Sequence, residues 1–359
     1  MKIILKILAK TISELIKNLN LNYRGNNYLK ISILLISDTI SSISIHSVTK
    51  IYFFKMDFPI SIKLRMTYLI FLVSLFLVVQ IEAQTPVIFD FESQPKGTCY
   101  TLDKWRDVGI LTDSWEDGMK LRSMVDDSFS VSGKKSLRIM YPKAGVGPEE
   151  SGAQVPIILA SKDQYFASYY LRFSENFDFR LGGKLPGLAG GALCSGGRTC
   201  DGTNGFTARF MWRKNGKVVL YLYHMDKPDK WGEDIPLVFP SGEQVVFERG
   251  KWYRIVERVK VNSTANSHDG EVEVWVNGIH VLLKQGIRFV SNGEKVDRFY
   301  FSTFHGGSGS EWAPNETCYI WYDDLIISEK INDPDISTYI LSAFIFIAAL
   351  VASLRIIFL

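Results

Sequence analysis

The sequence predicts an all-β protein: a jelly-roll β-sandwich of two antiparallel sheets, with a hydrophobic helix at the C-terminus. Three observations carry that expectation. Between residues 84 and 330, short runs rich in Val, Ile, Tyr, Phe and Trp recur between Gly, Asn and Asp turns, the composition of strands and hairpin loops. No long amphipathic helix separates these runs, so the alternation that builds a parallel sheet is missing. Asn277-Gly278 joins the alternating run 271–276 to the run 279–283, and Asn-Gly is the strongest short hairpin signal.

In chain order, residues 1–65 hold ten Lys/Arg against three Asp/Glu, a net +7, and show no sustained hydrophobic period. They read as an N-terminal extension ahead of a translation start at Met56 or Met66. Residues 66–83 follow Lys63 and Arg65 with a continuous apolar run and end at Ala83, the anatomy of a signal peptide; an uncleaved signal-anchor helix is the alternative. Residues 84–330 form the predicted β domain. Strands are expected at 164–173, 251–261, 271–276, 279–283, 296–305 and 319–328. Residues 331–338 are a polar linker. Residues 339–359 are almost wholly apolar and long enough to span a bilayer; a lipid-anchor signal at the terminus fits as well. The protein is therefore expected in the secretory pathway, secreted or held on the outer face of the membrane through its C-terminal segment.

The chain has 359 residues and a net charge of +3. With +7 in the first 65 residues, the remainder sums to −4. A faintly acidic body is not a nucleic-acid binder, and a polyanion would need a local basic cleft. Four cysteines allow three pairings. Cys194 and Cys200 flank a Gly-rich turn and are expected to pair, which leaves Cys99 with Cys318 to tie the first strand region to the last. No CxxC spacing suggests zinc, and the Asp323-Asp324 pair is far short of a calcium cage; no metal or cofactor is expected. Asn262-Ser263-Thr264 and Asn315-Glu316-Thr317 are glycosylation sequons, placing Asn262 and Asn315 in exposed turns.

The chemistry concentrates in residues 182–223. A glycine-rich stretch read as a loop carries Lys184. The hairpin after it, residues 205–224, alternates with period two. Phe206, Ala208, Phe210 and Trp212 share one face with Leu220 and Leu222; Thr207, Arg209, Met211 and Arg213 share the other with Tyr221 and Tyr223. A three-residue loop, Asn215-Gly216-Lys217, keeps the faces unmixed and sets Arg209 opposite Tyr223 and Met211 opposite Tyr221. Lys, Arg and Tyr on one exposed face suit an anionic substrate that must lose or gain a proton. Paired carboxylates for glycoside hydrolysis do not stand out in this stretch.

Several pieces in one order resemble polysaccharide lyase family 14, the alginate-lyase-type enzymes. They are Gly182-Gly183-Lys184-Leu185-Pro186-Gly187-Leu188, Cys194-Ser195-Gly196-Gly197, Gly205-Phe206-Thr207-Ala208-Arg209-Phe210-Met211-Trp212, Tyr221-Leu222-Tyr223 and Thr303-Phe304-His305-Gly306-Gly307-Ser308. The likeness covers roughly residues 87–328. The family often has serine in place of Thr207 and a second aromatic in place of His305. The resemblance implies β-elimination of a polyuronate such as alginate, with Lys184, Arg209, Tyr221 and Tyr223 catalytic and Thr207, Arg213 and His305 binding substrate. His224 is a further candidate for sugar binding. Arg209 suits the uronate carboxylate because its planar fork binds carboxylates bidentately. Lys184 is favoured as base and a tyrosine as acid. The alternative from another class is a lectin-like jelly roll without turnover, for which a proton-transfer set would have no use.

Overall fold

A computed structural model describes residues 86–107 and 115–330. The expected extension, signal segment, linker and C-terminal helix lie outside the described residues. Among the described residues no helix is long and apolar enough to cross a membrane.

Two antiparallel sheets make the fold, as predicted. The back sheet runs in the order β12 (Ile279–Ile287), β11 (Gly270–Val276), β10 (Trp252–Lys260), β5 (Gln164–Phe173), β14 (Cys318–Ser328), β3 (Ser136–Tyr141), β2 (Ser123–Asp126); β1 (Val87–Phe89) pairs with the far half of β14. The front sheet runs β4 (Ala153–Lys162), β13 (Val296–His305), β6 (Gly182–Gly190), β7 (Phe206–Arg213), β8 (Val218–Tyr223), β9 (Glu233–Pro236). The α-helices among the described residues are short: α1 (Leu102–Asp107), α2 (Met119–Arg122) and α3 (Gly147–Glu150). Period-two alternation decides what is buried. Leu185, Phe206, Phe210, Trp212, Leu220 and Leu222 of the front sheet join Leu171, Phe173, Ile255, Val259 and Ile320 of the back sheet in one core. Each such side chain contributes about 1.5–3 kcal/mol on burial.

The Asn277-Gly278 hairpin forms with Val276 opposite Ile279. Both turn residues take positive φ, 51° and 79°, the conformation a two-residue primed turn requires. A bulge then shifts Val274 to Leu282 rather than Val281. In the β7–β8 hairpin the loop is Lys214-Asn215-Gly216, closed by the Arg213 N–H on the Lys217 carbonyl. Arg209 therefore lies opposite Tyr221 and Thr207 opposite Tyr223. The predicted register is off by two residues. An even slip preserves the faces, so Thr207, Arg209, Met211, Tyr221 and Tyr223 still share a surface.

Cys194 and Cys200 form a disulfide with their Cα atoms 5.8 Å apart. The expected partner bond does not form: Cys99 and Cys318 are free thiols, one exposed and one buried. Strand order explains it. The chain at Gly97 and Thr98 hydrogen-bonds to Val125 of β2, and β2, β3 and β14 follow one another across the sheet. Three strand spacings, roughly 14 Å, separate Cys99 from Cys318, beyond the roughly 7 Å a disulfide tolerates. Asn262 does not lie in the exposed turn expected of its sequon. It is 5% exposed, and its Nδ2 donates to the Thr264 and Val290 carbonyls while Oδ1 accepts from the Phe289 and Val290 N–H groups. Asn315 is exposed, with Nδ2 on Asp178 at 2.9 Å.

Candidate active site

The outer face of the front sheet carries the predicted constellation. Lys184 lies on β6, not in a loop, opposite Met211 of β7 and Phe304 of β13. Arg209 and Met211 project from β7, Val219, Tyr221 and Tyr223 from β8. The face is not open, as a strand pattern alone suggested. Thr207, Arg209, Tyr221 and Tyr223 are all buried. The disulfide loop covers them: Cys194 and Cys200 pack with Met211, Val219, Tyr221 and Tyr223. The Gly197 N–H donates to the Tyr223 hydroxyl at 3.0 Å, and the Thr207 hydroxyl donates to the Cys194 carbonyl at 3.1 Å. Thr207 thus anchors the loop. Gly232 lies against both tyrosine rings, where any side chain would collide.

The electrostatics of the site are lopsided. The Lys184 ammonium lies 2.9 Å from the Met211 sulfur and 3.3 Å from the centre of the Tyr221 ring. Part of the residue's surface reaches solvent, but the nitrogen is hemmed in by protein. Burial first, then the charges of Arg209 and Arg213, hold its pKa well below the usual lysine range; Asp234 opposes them weakly. Arg209 donates from Nη1 to Ser302 at 2.9 Å and stands 4.8 Å over the Tyr300 ring, its Nε unpartnered. Burial lowers its pKa too. Among the described residues neither cation has a carboxylate in ion-pair contact. Arg213 does: both Asp234 oxygens lie 2.6 Å from its Nη2, and its guanidinium is 5.4 Å from the Tyr221 ring centre. The Tyr221 pKa is raised, by burial and by its hydrogen bond with Tyr223. Among the described residues no cluster of acids, His or Cys could hold a metal ion.

His305 is a core residue, contrary to the expectation that it lines the cleft. Alternation along β13 turns Tyr300, Ser302 and Phe304 outward and His305 inward. It is fully buried, stacks on Phe177 at 5.5 Å, meets Trp212 edge-on and bonds the Asp178 carbonyl at 2.8 Å through Nε2. Burial pushes its pKa down to about 4, so it is neutral at physiological pH. His224 is likewise turned away from the tyrosines, bonding Glu233 at 3.0 Å. Sequence reasoning missed Tyr300, Ser302 and Gln154: Tyr300 and Ser302 contact Arg209, and both donate to Gln154 Oε1, at 2.7 and 3.3 Å. The signal was available in β13, since Tyr300 and Ser302 alternate with Phe304.

The family Polysaccharide lyase 14 matches residues 130–325, more than half of the chain. The chain belongs to it. Polysaccharide lyase is thus the activity of this β-sandwich, and solved structures agree. It is similar to alginate lyase Aly36B, with 27% identity, TM-score 0.57, covering 68% of this chain and 97% of that one. A mutant of that enzyme in complex with alginate tetrasaccharide superposes with TM-score 0.58 at 25% identity, covering 69% and 98%. The marine alginate lyase from Aplysia kurodai gives TM-score 0.55 at 25% identity, covering 68% and 100%. No curated protein matches the chain.

Proposed function

We propose that this lyase cuts a polyuronate, alginate foremost, by β-elimination on the outer face of the front sheet. The observation that carries the reading is a hemmed-in guanidinium, Arg209, left without a carboxylate partner among the described residues, on one face with Lys184, an amine whose proton affinity burial lowers. A buried charge without a partner costs several kcal/mol, and the uronate carboxylate is the partner such a site lacks. Alginate is favoured because the solved relatives at 25–27% identity are alginate lyases, one holding an alginate oligosaccharide.

Each step has a residue suited to it. Arg209 neutralises the carboxylate, which makes the adjacent C5 proton acidic; its Nε is free to complete the fork. Lys184, its proton affinity lowered by burial and by two guanidinium groups, takes the C5 proton as a neutral amine. The C4–oxygen bond breaks, leaving a C4–C5 double bond. Tyr223 gives its proton to the leaving oxygen: its own oxygen already accepts from the Gly197 N–H, which stabilises charge left there. Tyr221 retains its proton and orders both neighbours.

We assign residues 66–83 to export and 339–359 to a membrane tether, on the strength of their apolar runs. The decisive experiment incubates the protein with alginate and other polyuronates and follows near-ultraviolet absorbance of the unsaturated end. Absorbance rising with alginate supports the reading; binding without any unsaturated product, across substrates and pH, overturns it.

A further inference from the structure

Strand β6 contains an extra residue, and its place is informative. Against β7, Lys184 faces Met211, Leu185 faces Phe210 and Leu188 faces Ala208, so Pro186 and Gly187 together oppose Arg209. The pairing with β13 slips in the same stretch. Leu185 and Leu188, three apart, both point into the core with no exposure, while Lys184 and Ala189, five apart, both point outward. Strict alternation forbids either pair; one inserted residue permits both. Without the bulge, a strand that buries Leu188 would turn Lys184 into the core. The sequence suits it. Pro186 has no N–H to lose from the ladder. Gly187 leaves room for the neighbouring backbone, since a Cβ there would come 2.1 Å from the Ala208 carbonyl and 2.9 Å from the Arg209 Cα.

A bulge releases backbone groups from the ladder, and here the opposite sheet takes them. The Tyr169 hydroxyl on β5 donates to the Pro186 carbonyl at 2.9 Å. Glu257 Oε2 on β10 accepts from the Leu188 N–H at 2.8 Å. Both side chains are almost fully buried. They come from adjacent paired strands, two steps apart in register. Among the described residues Glu257 has no cation in ion-pair contact and its Oε1 has no partner, and burial pushes its carboxyl well above the ordinary range. An acid in such a core is costly, and a well-packed hydrophobe there would ordinarily be neutral or stabilising. Its one side-chain hydrogen bond among the described residues is to the bulge beside Lys184.

We propose that Glu257 and Tyr169 are positioning residues, holding the bulge at 186–188 from the far sheet and thereby setting the aim of Lys184 and the placement of Arg209. The inference rests on the reading of Lys184 and Arg209 given above.

The test compares Glu257→Gln, Glu257→Leu and Tyr169→Phe in the full-length protein, with Lys184→Ala alongside. Three quantities are read: kcat on alginate, melting temperature, and hydrogen exchange of the Leu188 amide. Gln keeps the acceptor in the shape of the neutral acid, so Glu257→Gln should stay within about twofold of wild type in kcat, with a protected amide. Glu257→Leu should expose that amide and lower kcat at least about tenfold, as misplacement by a fraction of an ångström does, while the melting temperature holds or rises. Tyr169→Phe, which keeps the ring and its packing, should lower kcat in the same direction, and it carries the test if Glu257→Leu does not fold. Wild-type kcat in Glu257→Leu, equal damage in Glu257→Gln, or kcat falling only in step with melting temperature would overturn the proposal. Unchanged activity in Lys184→Ala would instead sink the catalytic reading, and Leu188 exchange would then decide the clamp by itself.

Discussion

Lys184→Met should make the protein more stable and nearly inactive at once. Methionine keeps the length of the side chain and its packing but removes the charge. In the unfolded chain the lysine binds its proton in the usual range, about 10.4. In the folded chain burial, Arg209 and Arg213 depress that affinity, and each tenfold of affinity lost costs about 1.4 kcal/mol. What the variant gives up is the contact over the Tyr221 ring, about 1–2 kcal/mol for a desolvated cation, and a weak contact to sulfur. Burial and two guanidinium groups all oppose the charge, so the substitution should raise the melting temperature at neutral pH. The folded affinity is the lower one, so the penalty is complete below the folded pKa. It shrinks as pH rises from there to the unfolded value and vanishes above it. Melts at pH 7 and near pH 10.5 should therefore show an advantage that closes. Lyase rates, read by ultraviolet absorbance, should fall roughly 10²-fold or more with the base gone. Wild-type kcat/KM should rise with pH through the depressed pKa of Lys184. A variant that melts lower than wild type at pH 7, an advantage indifferent to pH, or more than a tenth of the activity retained would refute the account.

Four further outcomes are expected. Arg209→Lys should lose at least about tenfold in kcat/KM, because a point charge cannot present the bidentate fork; steady-state kinetics on alginate checks it. Tyr223→Phe should lower kcat roughly 10²-fold or more and cost about 1–3 kcal/mol by stranding the Gly197 N–H, seen in rates and melts together. Replacing Cys194 and Cys200 with Ser should cost about 2 kcal/mol for so short a loop, and kcat should fall because the loop that bonds Tyr223 loosens; full activity would separate the loop from the chemistry. Deleting residues 339–359 should move the protein from cell surface to medium, by immunoblot of both fractions.

The sequence displayed the fold through alternation, and it displayed the shared face of Thr207, Arg209, Tyr221 and Tyr223 for the same reason. An even slip in hairpin register left that face intact, so the misplaced turn did no harm. Features that break alternation were illegible. Lys184 looked like a loop residue because glycines and a proline surround it, when they mark a bulge inside a central strand. His305 drew attention by residue type, yet parity with Phe304 sends it into the core. Burial of the outer face was equally hidden, because the cover comes from a disulfide loop whose landing place depends on the glycines at 197 and 232. The expected Cys99–Cys318 bond failed on strand order, which cysteine spacing does not encode.

The site needs one fixed cation and one base, and Arg209 and Lys184 cannot exchange these roles. If Lys184 received the uronate carboxylate, the added negative charge would draw its pKa back up towards the ordinary range, and the amine would hold its proton instead of taking one. Arg209 can accept the carboxylate without that penalty, since it does not deprotonate in the working range. The surroundings divide the two accordingly. Arg209 is held on the side of Ser302 and Tyr300. Lys184 is held against Met211 and Tyr221, a soft sulfur and a ring face that supply no formal negative charge. The Arg209 charge then acts twice: it binds the substrate anion, and before binding it keeps Lys184 short of its proton. Once the carboxylate neutralises Arg209 that second effect weakens, so burial, the first cause of the depressed affinity, has to sustain the base through the reaction.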